Sequence, residues 1–169
     1  ANLLKGHAYY YMKNYTQSES SYIKAIRLKP QEIKFDLEML TKLSLLYIDT
    51  KSWYEAKVIL QEILRDSVEH SFAWRYLGLV LTRLGEYDEA EKALTRANLL
   101  DVENPTIWAY FTIFCLNAKR RNQALESLNE LHKVNFRDIA LLKEIAFLFK
   151  ANEDYVISAN LYKKILEYV

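Results

Sequence analysis

Ser71 to Asn104 reads SFAWRYLGLVLTRLGEYDEAEKALTRANLLDVEN. Trp74, Leu77, Gly78 and Leu81 follow one another at spacings of three, one and three, which places them on one face of a helix. Leu84-Gly85-Glu86 interrupts that pattern, and Gly85 suits a left-handed cap. Tyr87, Ala90, Leu94 and Ala97 then mark the face of a second helix. Gly78 and Ala90 are small enough for two backbones to approach closely, with Trp74, Leu77, Leu81 and Leu94 filling the space around them.

The same unit recurs along the chain. The small residue of the first helix is found again as Gly6, Ser44, Gly78, Thr112 and Ala146, at steps of 38, 34, 34 and 34. That of the second helix recurs as Ser18, Ala56, Ala90, Ala124 and Ser158, at the same steps. Tyr15, Trp53, Tyr87, Arg121 and Tyr155 form a third ladder at the turn, aromatic except at Arg121. Three ladders with one spacing predict about five helical hairpins, covering roughly 1–32, 37–70, 71–104, 105–138 and 139–169, as one array. The unit resembles the tetratricopeptide repeat, whose period is 34 residues. That resemblance implies an all-α, right-handed superhelical solenoid of helix-turn-helix units.

Composition agrees with an array. Hydrophobic residues make up 51% of the chain, enough for a continuous core, and three Gly and two Pro leave room for little besides helices and short turns. The net charge of +1, from 23 basic and 22 acidic residues, gives no overall electrostatic case for nucleic acid or an anionic membrane. Cys115 is the single cysteine, so no internal disulfide can form, and a reducing compartment is the simpler reading. No apolar run approaches the roughly 20 residues of a membrane span, and no signal peptide is visible. A chain that opens on Ala1 with an incomplete first repeat is expected to be a fragment of a longer protein.

The 38-residue step falls between Gln31 and Asp36. Four residues are close to one helical turn, so the third helix is expected to start near Gln31, with Pro30 at its first position, and to run about one turn longer than its counterparts. Phe35 would add an apolar contact. At the other end no polar capping helix follows, so Leu161, Ile165, Tyr168 and Val169 are expected to be partly exposed or covered by something outside this chain, with Leu161, Ile165 and Val169 favouring end-to-end self-association or needing a following segment.

Motifs for chemistry are missing. The chain has no Gly-rich phosphate loop, nucleophile elbow or HExxH. His7, His70 and His132 lie in different repeats without metal-ligand spacing. Cys115 sits on the core rung of Tyr9, Tyr47, Leu81 and Phe149, where a free thiol serves as a small hydrophobe. The expectation is a non-catalytic chain with no cofactor and no metal. Lys119-Arg120-Arg121 breaks a local rule, because positive charge leading into a helix N-terminus opposes its dipole. The cluster is read either as a solvated turn or as a contact for an acidic partner segment.

The repeat family implies a protein-binding scaffold. Its two-carboxylate clamp would need Asn just after the small residue in two successive repeats. Here that rung holds His7, Leu45, Leu79, Ile113 and Phe147, so a receptor of that kind is disfavoured. In this family the rung points into the concave groove, so Leu45, Leu79, Ile113 and Phe147 are expected to line an apolar floor, with Arg75, Lys143 and Lys150 as basic groups beside it. The matching partner is a helical or extended segment with apolar anchors and some acidic residues; the alternative is that a tight superhelix, or another part of the same protein, covers the row. Arg83-Leu84-Gly85-Glu86, Ala97-Asn98, Trp108-Ala109-Tyr110 and Ala140-Leu141-Leu142-Lys143-Glu144-Ile145 make residues 71 to about 148 resemble the C-terminal repeat region of the cilia- and flagella-associated protein 70 family. That narrower resemblance implies a cytoplasmic, axonemal component of motile cilia or flagella that supports beating. The alternative is a generic adaptor that captures an apolar or amphipathic peptide.

Overall fold

The computed structural model describes residues 1–28 and 36–168. Among these residues the chain forms ten helices, paired as five hairpins: α1 (Asn2–Tyr11) with α2 (Tyr15–Leu28), α3 (Leu37–Asp49) with α4 (Trp53–Asp66), α5 (Ser71–Leu84) with α6 (Tyr87–Leu100), α7 (Pro105–Asn117) with α8 (Arg121–Lys133), and α9 (Ile139–Ala151) with α10 (Tyr155–Leu166). Ser44, Thr112 and Ala146 of the first ladder, and Ala56, Ala90 and Ala124 of the second, are fully buried. The reason is steric. A β-carbon placed on Gly78 would lie 2.5 Å from Leu94 Cγ and 3.3 Å from the Leu94 backbone nitrogen, so only a hydrogen fits there. Tyr22 fills the corresponding space against Gly6. Where the rung is polar its hydroxyl is satisfied locally: Thr112 donates to the Trp108 carbonyl at 2.9 Å, and Ser18 to the Gly6 carbonyl at 2.9 Å.

The turns within the hairpins share one backbone solution. Gly85 has φ +77°, and Lys13, Lys51, Lys119 and Glu153, which stand in register with it, also have positive φ. The residue after each closes the turn by donating its backbone N–H five residues back, as Glu86 does to Leu81 at 3.0 Å and Arg120 to Cys115 at 2.7 Å. Four of the five turns therefore force a side chain into the left-handed region, which is mildly strained for any residue but Gly.

The first helices of the hairpins begin on a second ladder. The side chains of Asp36, His70, Asn104 and Asp138 accept hydrogen bonds from backbone N–H groups of α3, α5, α7 and α9. This corrects the expected long third helix. Asp36 is non-helical, with ψ 90°, and caps a helix of 13 residues, the same length as α7 and α9. A carboxylate at that position satisfies the first-turn amides and sets the start in register with the other hairpins. Pro30, Gln31 and Phe35, on which the rest of that expectation fell, lie outside the described residues.

The expectation for the last helix also changes. Leu161 and Ile165 are buried, at 2% and 3% exposure, because they face α9 and the preceding hairpin. Tyr155, Val156, Tyr162 and Leu166 are the apolar side chains that α10 leaves exposed. Tyr168 is half-buried and donates to Asn135 Oδ1 at 2.9 Å. Val169 lies outside the described residues.

Candidate partner-binding surface

The first helices α3, α5, α7 and α9 carry the expected row, and its exposure follows how closely they approach one another. α7 packs against both α5 and α9, and Ile113 is fully buried between them. Leu79 on α5 is 7% exposed. Ala109 and Leu116 on α7 are buried as well. Arg83 of α5 pairs with Glu144 of α9, joining the helices on either side of α7. The expected continuous apolar floor is therefore absent through the middle of the array: Leu79 and Ile113 are core residues, because the superhelix is tight enough to cover them. Leu45 is half-buried. Phe147 alone stands open, at 60% exposure, with Lys143 and Lys150 exposed on either side of it along α9.

Arg75 is half-buried in an aromatic setting, its guanidinium 5.2 Å from the Tyr76 ring and 5.9 Å from the Phe72 ring. Its Nε is buried and has no hydrogen-bond partner among the described residues. Tyr76 in turn stands edge-on to Tyr110, whose phenol is pushed strongly upward by burial. The basic groups named beside the row are thus two kinds of site: Arg75 stacked among rings, and Lys143 and Lys150 in solvent.

The basic turn has internal partners. Lys119 donates to Asn152 Oδ1 at 2.9 Å. Arg120 reaches back to Glu91 at 2.7 Å and lies over the Phe114 ring. Arg121 makes two 2.7 Å bonds to the Asp154 carboxylate, which holds that carboxyl below its ordinary range. The acidic groups that this cluster meets belong to the chain itself, and the charge placed against the helix dipole is offset by these inter-repeat bonds. Lys57 and Glu86 form a similar link between the second and third hairpins.

A polar cluster joins the first two hairpins. Lys42 is 8% exposed, yet its ammonium bonds Glu38 and lies 3.1 Å from His7 Nδ1 and 4.5 Å from the Tyr11 ring centroid. An ammonium can only donate, so His7 Nδ1 accepts. The Tyr22 hydroxyl lies 2.9 Å from the same nitrogen. Burial pulls the Lys42 ammonium down, but bonds to Glu38 and Tyr11 outweigh it and the net direction is upward. The Lys42 bond holds the Glu38 carboxyl below its ordinary value. One signal for this cluster was present in the sequence: Lys42 stands on the rung that holds Tyr76 in the third hairpin and Tyr110 in the fourth. His70 caps α5 and His132 is exposed. Cys115 is buried, with its thiol pushed up to about 11 by desolvation, which leaves it without nucleophilic character. Among the described residues no cluster of three His, Cys, Asp or Glu could hold a metal ion, and no helix is long and apolar enough to cross a membrane.

The family model described as the cilia and flagella-associated protein 70 C-terminal domain matches residues 1–165. The chain belongs to that family. The human cilia- and flagella-associated protein 70 is 32% identical over 144 residues, covering 84% of this chain and 12% of that protein. The Macaca fascicularis protein is 35% identical over 104 residues, covering 62% of this chain and 10% of that protein. The chain therefore spans about a tenth of the length of these relatives. Superkiller protein 3 of Schizosaccharomyces pombe is 29% identical over 122 residues, 72% of this chain and 8% of that protein. A crystal structure of MamA superposes with TM-score 0.74 at 18% identity, covering 99% of this chain and 89% of its own. PilF of Pseudomonas aeruginosa superposes with TM-score 0.72 at 18% identity, covering 99% and 75%. The fold is a tetratricopeptide-repeat solenoid, and with membership of the cilia- and flagella-associated protein 70 family it is that of a protein-interaction scaffold.

Proposed function

We propose that this chain is the repeat scaffold of an axonemal component of motile cilia or flagella, one that supports beating by holding other proteins in place rather than by catalysis. The observation that carries the reading is the family match across residues 1–165. The full-length protein, tagged in cells with motile cilia, is expected along the axoneme and is expected to stay there when detergent removes the ciliary membrane. Loss of the protein should impair beating. A diffuse cytosolic pool with normal beating would reject the axonemal reading and favour the adaptor.

Partner capture in the groove is narrower than the sequence row implied. Phe147 is a large apolar side chain held in water between Lys143 and Lys150. That arrangement fits a helical or extended segment with one apolar anchor and acidic neighbours. Leu45 and Arg75 extend the surface toward the N-terminal hairpins, while Leu79 and Ile113 support it from the core. Phe147→Asp, with Lys143→Glu and Lys150→Glu, should displace the full-length protein from the axoneme while helix content is kept. Unchanged axonemal signal in the triple variant would remove this face from the working surface.

A further inference from the structure

The fourth hairpin is underfilled where its two helices meet. Cys115 of α7 stands on the rung that holds Tyr47, Leu81 and Phe149 in the second, third and fifth hairpins, and Ser127 of α8 on the rung that holds Ile59, Ala93 and Leu161. Both are buried, and the Ser127 hydroxyl donates to the Gln123 carbonyl at 3.0 Å. Two small side chains, where the second and fifth hairpins have two large ones, leave a pocket of about 300 Å³ between α6, α7 and α8. Trp108, Phe111 and Phe114 form its aromatic wall, with successive ring centroids 5.8 and 6.4 Å apart. Phe114 is buried, while Trp108 and Phe111 are half-buried and reach solvent.

The rim of this pocket is acidic. Glu91, Glu126 and Glu130 line it, and no Lys or Arg among the described residues does. The rungs of Glu126 and Glu130 carry Lys92 and Arg96 in the third hairpin and Asn160 and Lys164 in the fifth; the fourth hairpin alone has a carboxylate on both. Arg120 holds Glu91, and Lys133 holds Glu130 in an exposed pair, whereas Glu126 has no ionic partner among the described residues. Arg120 also lies 5.3 Å from the centre of the Phe114 ring, so one edge of the wall already receives a guanidinium between a ring and a carboxylate. A planar guanidinium meets aromatic faces and carboxylates at once, which an ammonium does less well. We infer that the pocket receives an arginine side chain from a basic segment of a partner protein, stacked on Trp108 and Phe111 with its charge against Glu126. No lining residue lies on α9, so this surface is separate from that of Phe147.

The test is an NMR titration of the 15N-labelled chain with a blocked alanine pentapeptide carrying one central arginine, beside the same peptide with citrulline or norleucine there. The arginine peptide should shift the Trp108 indole N–H and the amides around Cys115 and Ser127, and the two neutral peptides should bind at least about tenfold more weakly. Glu126→Gln changes an exposed side chain, should leave the fold intact, and should weaken the arginine peptide about fivefold. Ser127→Ile copies the second hairpin and should fill the pocket and abolish binding; if that variant unfolds, Glu126→Gln decides alone. No shifts at the pocket with the arginine peptide would overturn the proposal. Equal binding of the norleucine or citrulline peptide would overturn it too, because the pocket would then take apolar or neutral side chains. Unchanged affinity in Glu126→Gln, or in a folded Ser127→Ile, has the same consequence. The full-length protein, followed by saturation transfer to the peptide, should bind as the chain does. Loss of binding there would mean that another segment of the same protein fills the pocket, and the partner reading falls.

Discussion

The first and third hairpins place glycine on the same rung and fill the space opposite in different ways. In the third, Leu94 presses against Gly78 and the contact is wholly apolar. In the first, Tyr22 presses against Gly6 and brings a hydroxyl into a fully buried position. That hydroxyl meets His7, and His7 meets Lys42 of the next hairpin. One extra oxygen thus converts a local packing contact into a polar tie between repeats. Apolar filling fixes the distance between two helices; polar filling also fixes which neighbour they join, since a buried donor or acceptor must find its partner.

Exchanging the two side chains breaks this comparison most sharply. Leu94→Tyr should destabilise the chain by about 4 kcal/mol, because it overpacks the Gly78 rung and buries a hydroxyl among apolar groups. Tyr22→Leu should cost only about 2 kcal/mol, for a smaller contact and a lost hydrogen bond. Urea unfolding midpoints measure both, and equal losses would mean that the two rungs are not different in kind. Lys42→Met isolates the tie itself. Glu38 is largely exposed and returns to water, and Tyr22 keeps His7, so the loss should be about 1 kcal/mol. A smaller effect of opposite sign is expected at the turns: Lys119→Gly relieves a φ of +60° and should stabilise by about 0.5 kcal/mol.

Acid gives the mildest test. Glu38 and Asp154 both have lowered folded values, so their contribution is complete above the ordinary glutamate value of 4.5 and is lost as pH falls through the lowered values. In Arg121→Gln the part of that acid sensitivity due to Asp154 should vanish, so the variant falls slightly below wild type at neutral pH and the two converge as Asp154 protonates; the difference is small because the Arg121 side chain is 56% exposed. Thermal unfolding of wild type and variant from pH 6 to about pH 3 reads the difference; superimposable curves would leave the pair without effect.

The repeat period and the buried ladders were legible because small residues return at fixed steps whatever surrounds them. The turns were legible only at Gly85, since Lys13, Lys51, Lys119 and Glu153 adopt the same backbone without advertising it. The capping ladder was hidden in the same way, its four members being Asp, His, Asn and Asp. Burial of Leu79 and Ile113 could not be read from one helix, because it depends on how tightly successive hairpins wind. The partners of the basic turn had a signal that periodicity analysis passes over. Lys57 with Glu86 and Glu91 with Arg120 are opposite charges at the same separation of 29 residues, one repeat less five.

The ion pair between Arg83 and Glu144 spans 61 residues and skips a hairpin. An array tied only through adjacent units frays one unit at a time from its ends. Here the departure of α9 also releases a strut on α5, and the amides of α7 are screened until a neighbour on one side or the other moves away. Arg83 further rests against Trp53 in the second hairpin, so a single side chain touches three of the five units. The natural grain of hydrogen exchange is then coarser than the sequence repeat: the C-terminal three hairpins should open as one block, slow and concerted, while α1 and α2 exchange on their own schedule.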